Sequence, residues 1–510
     1  MKIILRAAAS LAVAAALSAC ATQAPAPHVA ALAPQQWQAP LPHNGSQADL
    51  ANWWQHQADA LLVQLIESAQ AVSPTVASAG SRIAQSRAER VAAGAALAPS
   101  LDGAASVGRT SQQSELPLGT TSQAALNASW EIDLFGANRA ARDAAQARLD
   151  SAHAGWHDAR VSVAAEVANQ YYGLRACEQL MAVAKQDAVS RADTARLTEL
   201  SARAGFQSPA SMALARASAA DGNSRYIAQR AECDIDVKAL VALTAIAEPE
   251  LRQKLAAGSG AGVAGAAGTA AVSGAAIIGV APSMAIAELP ARTLSQRPDV
   301  FTAEREVTAA SADVGNAQAQ RYPRLTLSGS VGVANFRSNG DSTKLDTWSI
   351  GPLSMTVPIF DAGKRRANVD AASARYDSAV SSYRATVRQA VSEVEQALVN
   401  LDATAERAGD AQTALEGYRA NFTAVEDRYK NGMASLFELE DARRTRLTAE
   451  QTVINLQRER SAAWVALYRA AGGGWTAPTD STPAVASVTT SASPAVAAAT
   501  ASTAPSSRAN

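Results

Sequence analysis

His153 and His157 are the first residues that invite a chemical reading, because two histidines four apart share one helix face and can grip a zinc ion. Between them stand Ala154, Gly155 and Trp156, which supply no general base, and no third ligand is evident. They read as ordinary helix-face histidines, and no metal is expected. Of the three cysteines, Cys177 and Cys233 lie 28 residues either side of Gly205. If Gly205 to Pro209 is a hairpin turn, arms of equal length bring the two thiols to one height, which predicts a disulfide in an oxidising compartment. Two buried free thiols are the alternative. No Gly-rich phosphate loop occurs, so the chain has no power source of its own, and neither enzymatic activity nor a cofactor is expected. Tyr171, Tyr172 and Trp464 fall within helical runs as packing residues.

The elements that hold these residues are unusually long. From Ala124 the alternate residues Ala124, Leu126, Ala128, Trp130, Ile132 and Leu134 are apolar, with Asn127, Ser129, Glu131 and Asp133 between them. That period of two describes a strand with one greasy face. Beyond Phe135 and Gly136 the period changes. Leu149, Trp156, Val163, Gln170, Cys177 and Ala184, interleaved with Val167, Leu174, Met181 and Ala188, follow the 4-3 spacing of a coiled-coil seam. With no proline before Gly205, such a helix runs on the order of 100 Å. A membrane-type strand is joined end-on to a rod.

Composition fits long helices packed on helices: 5% aromatic residues, abundant alanine and a net charge of -1. Interspersed acids and bases describe solvated helix faces and give no reason to expect nucleic acid. Lys2 and Arg6 precede a short apolar run ending in Leu17-Ser18-Ala19-Cys20. The run is too short to span a membrane and reads as an export signal over residues 1–19. Its last four residues resemble a bacterial lipobox, which implies cleavage before Cys20 and lipid on its sulfur. Residues 20–52 then form a lipid-anchored tether.

The chain repeats itself. An offset of 224 carries Pro74, Val76, Pro99 and Leu101 onto Pro298, Val300, Pro323 and Leu325. Past the strands the offset becomes 227 and carries Asp143-Ala144-Ala145 onto Asp370-Ala371-Ala372, Gly205 onto Gly432, and Ala215-Arg216 onto Ala442-Arg443. The first repeat spans 53–247, with strands at about 99–110 and 122–135. The second spans 288–475, with strands at about 323–336 and 347–360, the last slipping phase at Gly351-Pro352 as a bulge requires. Between them, 248–287 reads as a Gly/Ala-rich flexible linker. Residues 476–510 read as a disordered tail.

Four amphipathic strands cannot sit in lipid with open edges, so several copies must close a ring of 8, 12 or 16 strands around a polar lumen. Trp53-Trp54, Gln296-Arg297-Pro298-Asp299-Val300, Val357-Pro358-Ile359-Phe360-Asp361-Ala362-Gly363 and Phe437-Glu438-Leu439-Glu440-Asp441-Ala442 resemble the TolC-like outer membrane factors, in their lipidated OprM/NodT-type branch. The resemblance implies a mainly α fold: a long antiparallel coiled-coil α-barrel continuous with a twelve-stranded β-barrel, built by a homotrimer with four strands per chain. It implies a passive exit duct in the outer membrane of a Gram-negative bacterium, extended into the periplasm. A periplasmic adaptor (membrane fusion protein) and an inner-membrane efflux pump are the implied partners. A duct for type I protein secretion is the alternative within that class, and a lipid-anchored periplasmic adaptor or scaffold the alternative outside it.

Carried over by position, Glu438 and Asp441 are the periplasmic gate, three apart and so on one helix face. The turns Gly205, Phe206, Gln207, Ser208 and Gly432, Met433, Ala434, Ser435 are the adaptor contacts. Ala434 stands where such chains often carry a basic residue.

Overall fold

The structure is a computed structural model that describes residues 24–30, 39, 59–110, 119–261, 294, 297–338 and 341–475. Cys20, the signal, all of the tether but 24–30 and 39, most of the linker and the tail 476–510 lie outside the described residues.

Each repeat has the same plan. In the first, helices α1 (Ala60–Val72) and α2 (Pro74–Ala95) lead to strands β1 (Ser100–Thr110) and β2 (Gly119–Ile132). The rod α3 (Ala137–Arg203) and the returning helix α4 (Pro209–Thr244) follow. After α5 (Glu248–Ala261), the second repeat supplies α6 (Pro298–Ala319), β3 (Arg324–Ser338) and β4 (Asp341–Thr356). It closes with the rod α7 (Lys364–Lys430) and the return α8 (Leu436–Ala470). The helix before the strands and the helix after the turn pack beside each rod, α2 and α4 on α3, and α6 and α8 on α7.

Local chemistry fixes the joints. Each rod starts from a glycine with positive φ, Gly136 at +77° and Gly363 at +87°, a backbone that side chains with a Cβ resist. A carboxylate caps each start: Asp133 accepts from the Asn138 and Arg139 amides, Asp361 from the Gly363 and Arg365 amides. Each rod ends at a second positive-φ glycine, Gly205 (+82°) and Gly432 (+75°). There the Phe206 amide donates to Ser201 O, and the Met433 amide to Arg428 O, satisfying carbonyls the helix leaves free. Ser208 and Ser435 then cap the returning helices.

The expectation of a loose linker over 248–287 needs correction at its start, because Glu248–Ala261 is helical. Glu248 and Glu250 favour its first turn. Leu251 and Leu255, one turn apart, are buried in the main core. That core is a belt where α1, α3, α4, α5, α7 and α8 meet. Leu174, Leu240, Leu398 and Leu467 are wholly buried in it, each worth about 2 kcal/mol. The tether is held too: Ser311 donates to Pro25 O (2.6 Å), Tyr376 to Ala26 O (2.9 Å) and Thr308 to Pro27 O (3.1 Å).

The strands form one antiparallel sheet in the order β1-β2-β3-β4. Their bounds shift a few residues from expectation, β2 beginning at Gly119 and β4 running from Asp341 to Thr356. Between Leu327 and Gly329 the register slips by one, where β4 carries Gly351-Pro352 as an extra residue's worth of chain.

Candidate channel wall and periplasmic gate

The sheet register sorts residues onto two faces. Gly103, Leu126, Val331 and Trp348 form one cross-strand row, and Leu101, Ala128, Gly329 and Ile350 the next. Leu101, Val107, Leu126, Val331, Val333, Trp348, Ile350, Leu353 and Met355 are all exposed, an apolar surface water would not tolerate bare. On the opposite face Asp102, Asn127, Ser330 and Ser349 share a row, as do Glu131, Thr326 and Ser354. Ser330 and Ser349 bond to one another there at 2.9 Å. Among the described residues, the outer edges of β1 and β4 carry no strand partner. One greasy face, one polar face and two open edges are the makings of a wall completed by further copies.

The two hairpin tips lie at the far ends of the rods. Phe206 is 84% exposed on the first, Met433 64% and Phe437 75% on the second. Gln207 and Ala434 occupy matching turn positions, as do Ser208 and Ser435.

Glu438 and Asp441 stand on the first turns of α8, both about half exposed. Glu438 is the third residue of a capping box: it accepts from the Ser435 amide at 2.7 Å, while the Ser435 hydroxyl accepts from the Glu438 amide at 3.2 Å. Those Ser435 bonds, with Arg428 at 3.8 Å, hold its carboxyl below the usual range. Asp441 pairs with Arg444 on its own helix. The chain therefore already neutralises part of the charge at this level.

Sequence reading missed what lies one turn behind them. Asp187, Arg191 and Arg443 are 2%, 6% and 0% exposed and form one ionic cluster with Glu440. Arg191 donates to Asp187 (2.7 Å), to Glu440 and to Ser218. Arg443 donates to Glu440, and to Ser190 (3.1 Å) and Thr194 (3.0 Å). Gly222 on α4 makes the room, since a Cβ there would come within 2.6 Å of Arg191 Cδ. Phe422 of α7 covers the guanidinium of Arg446 at 4.1 Å. Phe422 also lies 5.8 Å from the Arg443 guanidinium, so the cluster ties α3, α4, α7 and α8 together just behind the acidic turn of α8. Its signals in the sequence are an Asp187-Arg191 pair at i,i+4 and a Glu440-Arg443 pair at i,i+3, which also describe any solvated helix face.

Cys177 and Cys233 are joined by a disulfide inside the core belt, with Cα atoms 5.6 Å apart. His153 and His157 remain neighbours on α3. Burial lowers the His157 pKa, with Arg160 and His153 adding to it. Among the described residues no group of three possible metal ligands gathers.

Residues 65–245 and 289–473, the two repeats, match the family model of outer membrane efflux proteins. The solvent efflux pump outer membrane protein SrpC of Pseudomonas putida is 28% identical over 82% of this chain and 86% of its own. Outer membrane protein OprJ of Pseudomonas aeruginosa is 28% identical over 91% and 95%. Among solved structures, the outer-membrane channel OprN superposes with a TM-score of 0.75 at 26% identity, covering 88% of this chain and 99% of that one. The Campylobacter jejuni CmeC outer membrane channel gives 0.77 at 23% identity over 90% and 96%.

Proposed function

The chain belongs to the outer membrane efflux protein family, and from that premise we propose that it is a passive exit duct for small toxic compounds, working as a homotrimer. Three four-stranded sheets joined β4 to β1 close twelve strands around a water-filled lumen, and the rods prolong that lumen into the periplasm. The observation that carries the reading is the sheet itself: its apolar residues lie exposed on one face and its polar residues on the other, and both edges are unpaired among the described residues. A periplasmic adaptor bound at the turns Gly205 to Ser208 and Gly432 to Ser435 couples it to an inner-membrane pump. That pump supplies the energy the chain cannot. Lipid on Cys20 anchors the tether.

Glu438 and Asp441 are the gate carboxylates in this reading. Brought together by threefold symmetry they repel anions and admit cations. The test separates gate charge from helix capping. Glu438→Gln with Asp441→Asn removes both charges, leaves Gln at the third helical position to complete the cap, and should reduce cation selectivity and raise single-channel conductance in planar bilayers. Unchanged selectivity in that variant, with conductance intact, sinks the gate assignment and leaves the duct standing. A purified protein that never conducts sinks the duct itself.

A further inference from the structure

The apolar face of the sheet does not run to the hairpin ends. From the rods outward its rows are Ile132-Leu325-Met355, Trp130-Leu327-Leu353, the Ile350 row, the Trp348 row and Ala105-Ala124-Val333-Asp346. At roughly 6.8 Å per two-residue step, four steps cover about 27 Å along strands that tilt in a barrel, so the band stands roughly 20 Å tall. The next row on that face is Val107-Ser122-Asn335-Lys344, and the one beyond is Arg109-Thr120-Arg337-Ser342. Arg109 and Arg337 flank Thr120 on adjacent strands, about 10 Å apart at the backbone, with Lys344 one row below.

These three cations are exposed, and among the described residues none has a side-chain ion pair or side-chain hydrogen bond. Like charges set side by side on a sheet repel one another. Asp346 is the carboxylate on these outer rows, one row nearer the rods than Lys344, which leaves three positive charges against one negative. The rows begin where the apolar band ends and lie on the side away from the rods, which in the duct proposed above puts them at headgroup height in the outer leaflet.

We propose that Arg109, Arg337 and Lys344 form a binding surface for the phosphates of an anionic lipid of the outer leaflet. Arginine suits the task, because its planar fork donates to two phosphate oxygens at once. The lipid supplies the counter-charge that the described residues do not, and it fixes how deep the barrel sits. Asp346 weakens the share of Lys344, so the two arginines carry most of the contact.

The test uses the purified full-length protein in detergent and follows its thermal unfolding. Three probes are compared: diphosphorylated lipid A, the same lipid with its phosphates removed, and inorganic phosphate. Diphosphorylated lipid A alone should raise the melting temperature. Arg109→Gln with Arg337→Gln should weaken apparent lipid binding roughly 25-fold, about fivefold for each basic residue lost near the charged surface. Arg109→Lys with Arg337→Lys should retain part of the effect. Each single Gln variant should lose a share, which keeps the test open if the double variant folds poorly. Equal shifts with dephosphorylated lipid, an equal shift with inorganic phosphate, or a double Gln variant that binds like the parent would each overturn the proposal. Bilayer conductance of the variants should stay at the parent value, which distinguishes loss of lipid binding from loss of the duct.

Discussion

The two rods have the same length, 67 residues, yet α3 has 21 buried residues and α7 has 10. Repeat one's rod lies inside the protomer, packed by α1, α2, α4, α6 and α8, whereas repeat two's rod keeps much of its surface bare. In the proposed ring of copies that bare surface is free to pack against the next copy. The tips differ in the same sense. Ser211 and Leu214 of the first repeat align at offset 227 with Glu438 and Asp441 of the second, so only the second hairpin carries acids at these positions. Arg216 and Arg443 also align, but Arg216 is exposed and Arg443 wholly buried. Duplication supplied two equal halves; burial and charge now distinguish them, the first rod being the more enclosed.

The arginine pair offers the sharpest break of that comparison. Arg443→Met removes one of the two buried arginines that neutralise Asp187 and Glu440, leaving Arg191 to face both carboxylates, and should cost about 3–5 kcal/mol, read as a large drop in the unfolding midpoint. Arg216→Met should stay within about 0.5 kcal/mol. Equal costs would mean the two hairpins are not different after all. Next in size is the disulfide, which only the first repeat has. Cys177→Ser with Cys233→Ser should cost about 2–4 kcal/mol, and amide exchange should quicken in α3 and α4 while α7 keeps its protection.

Smaller effects sharpen the same contrast. Ser435→Ala removes one side of the capping box and should cost about 1 kcal/mol, with selectivity retained if Glu438 still faces the lumen. Asp158 on the buried rod has its pKa raised by burial, with Asp299 adding to it against Arg469 and Arg297. Its folded form therefore binds a proton over a pH interval where the unfolded chain has released it, so stability falls as pH rises through that interval. Asp158→Asn should stabilise the protein modestly at pH 7 and not at pH 3. A gain at both would assign the effect to packing instead.

Much of the architecture is legible from residue spacing. The paired offsets, the proline-free runs and the glycines at 205 and 432 mark both rods and both turns, because helix period and left-handed turns are local properties. The bulge at Gly351-Pro352 is local too. The ionic cluster is not legible, since Asp187 and Arg191 are 249 or more residues from Glu440 and Arg443 and each pair alone looks like an ordinary surface helix. Helix α5 was hidden by the charge-free stretch that follows it, where alanine and glycine carry no clear period.

The sequence alone therefore determined the strands, the rods, their duplication and the alternation that gives the sheet a greasy side, for these depend on contacts a few residues apart. Only the tertiary structure decided which rod is buried, which of two equivalent arginines loses its water, and that Arg109, Arg337 and Lys344 gather beyond the apolar band. Those depend on which distant segments meet, and the energy of a charge is set by that company.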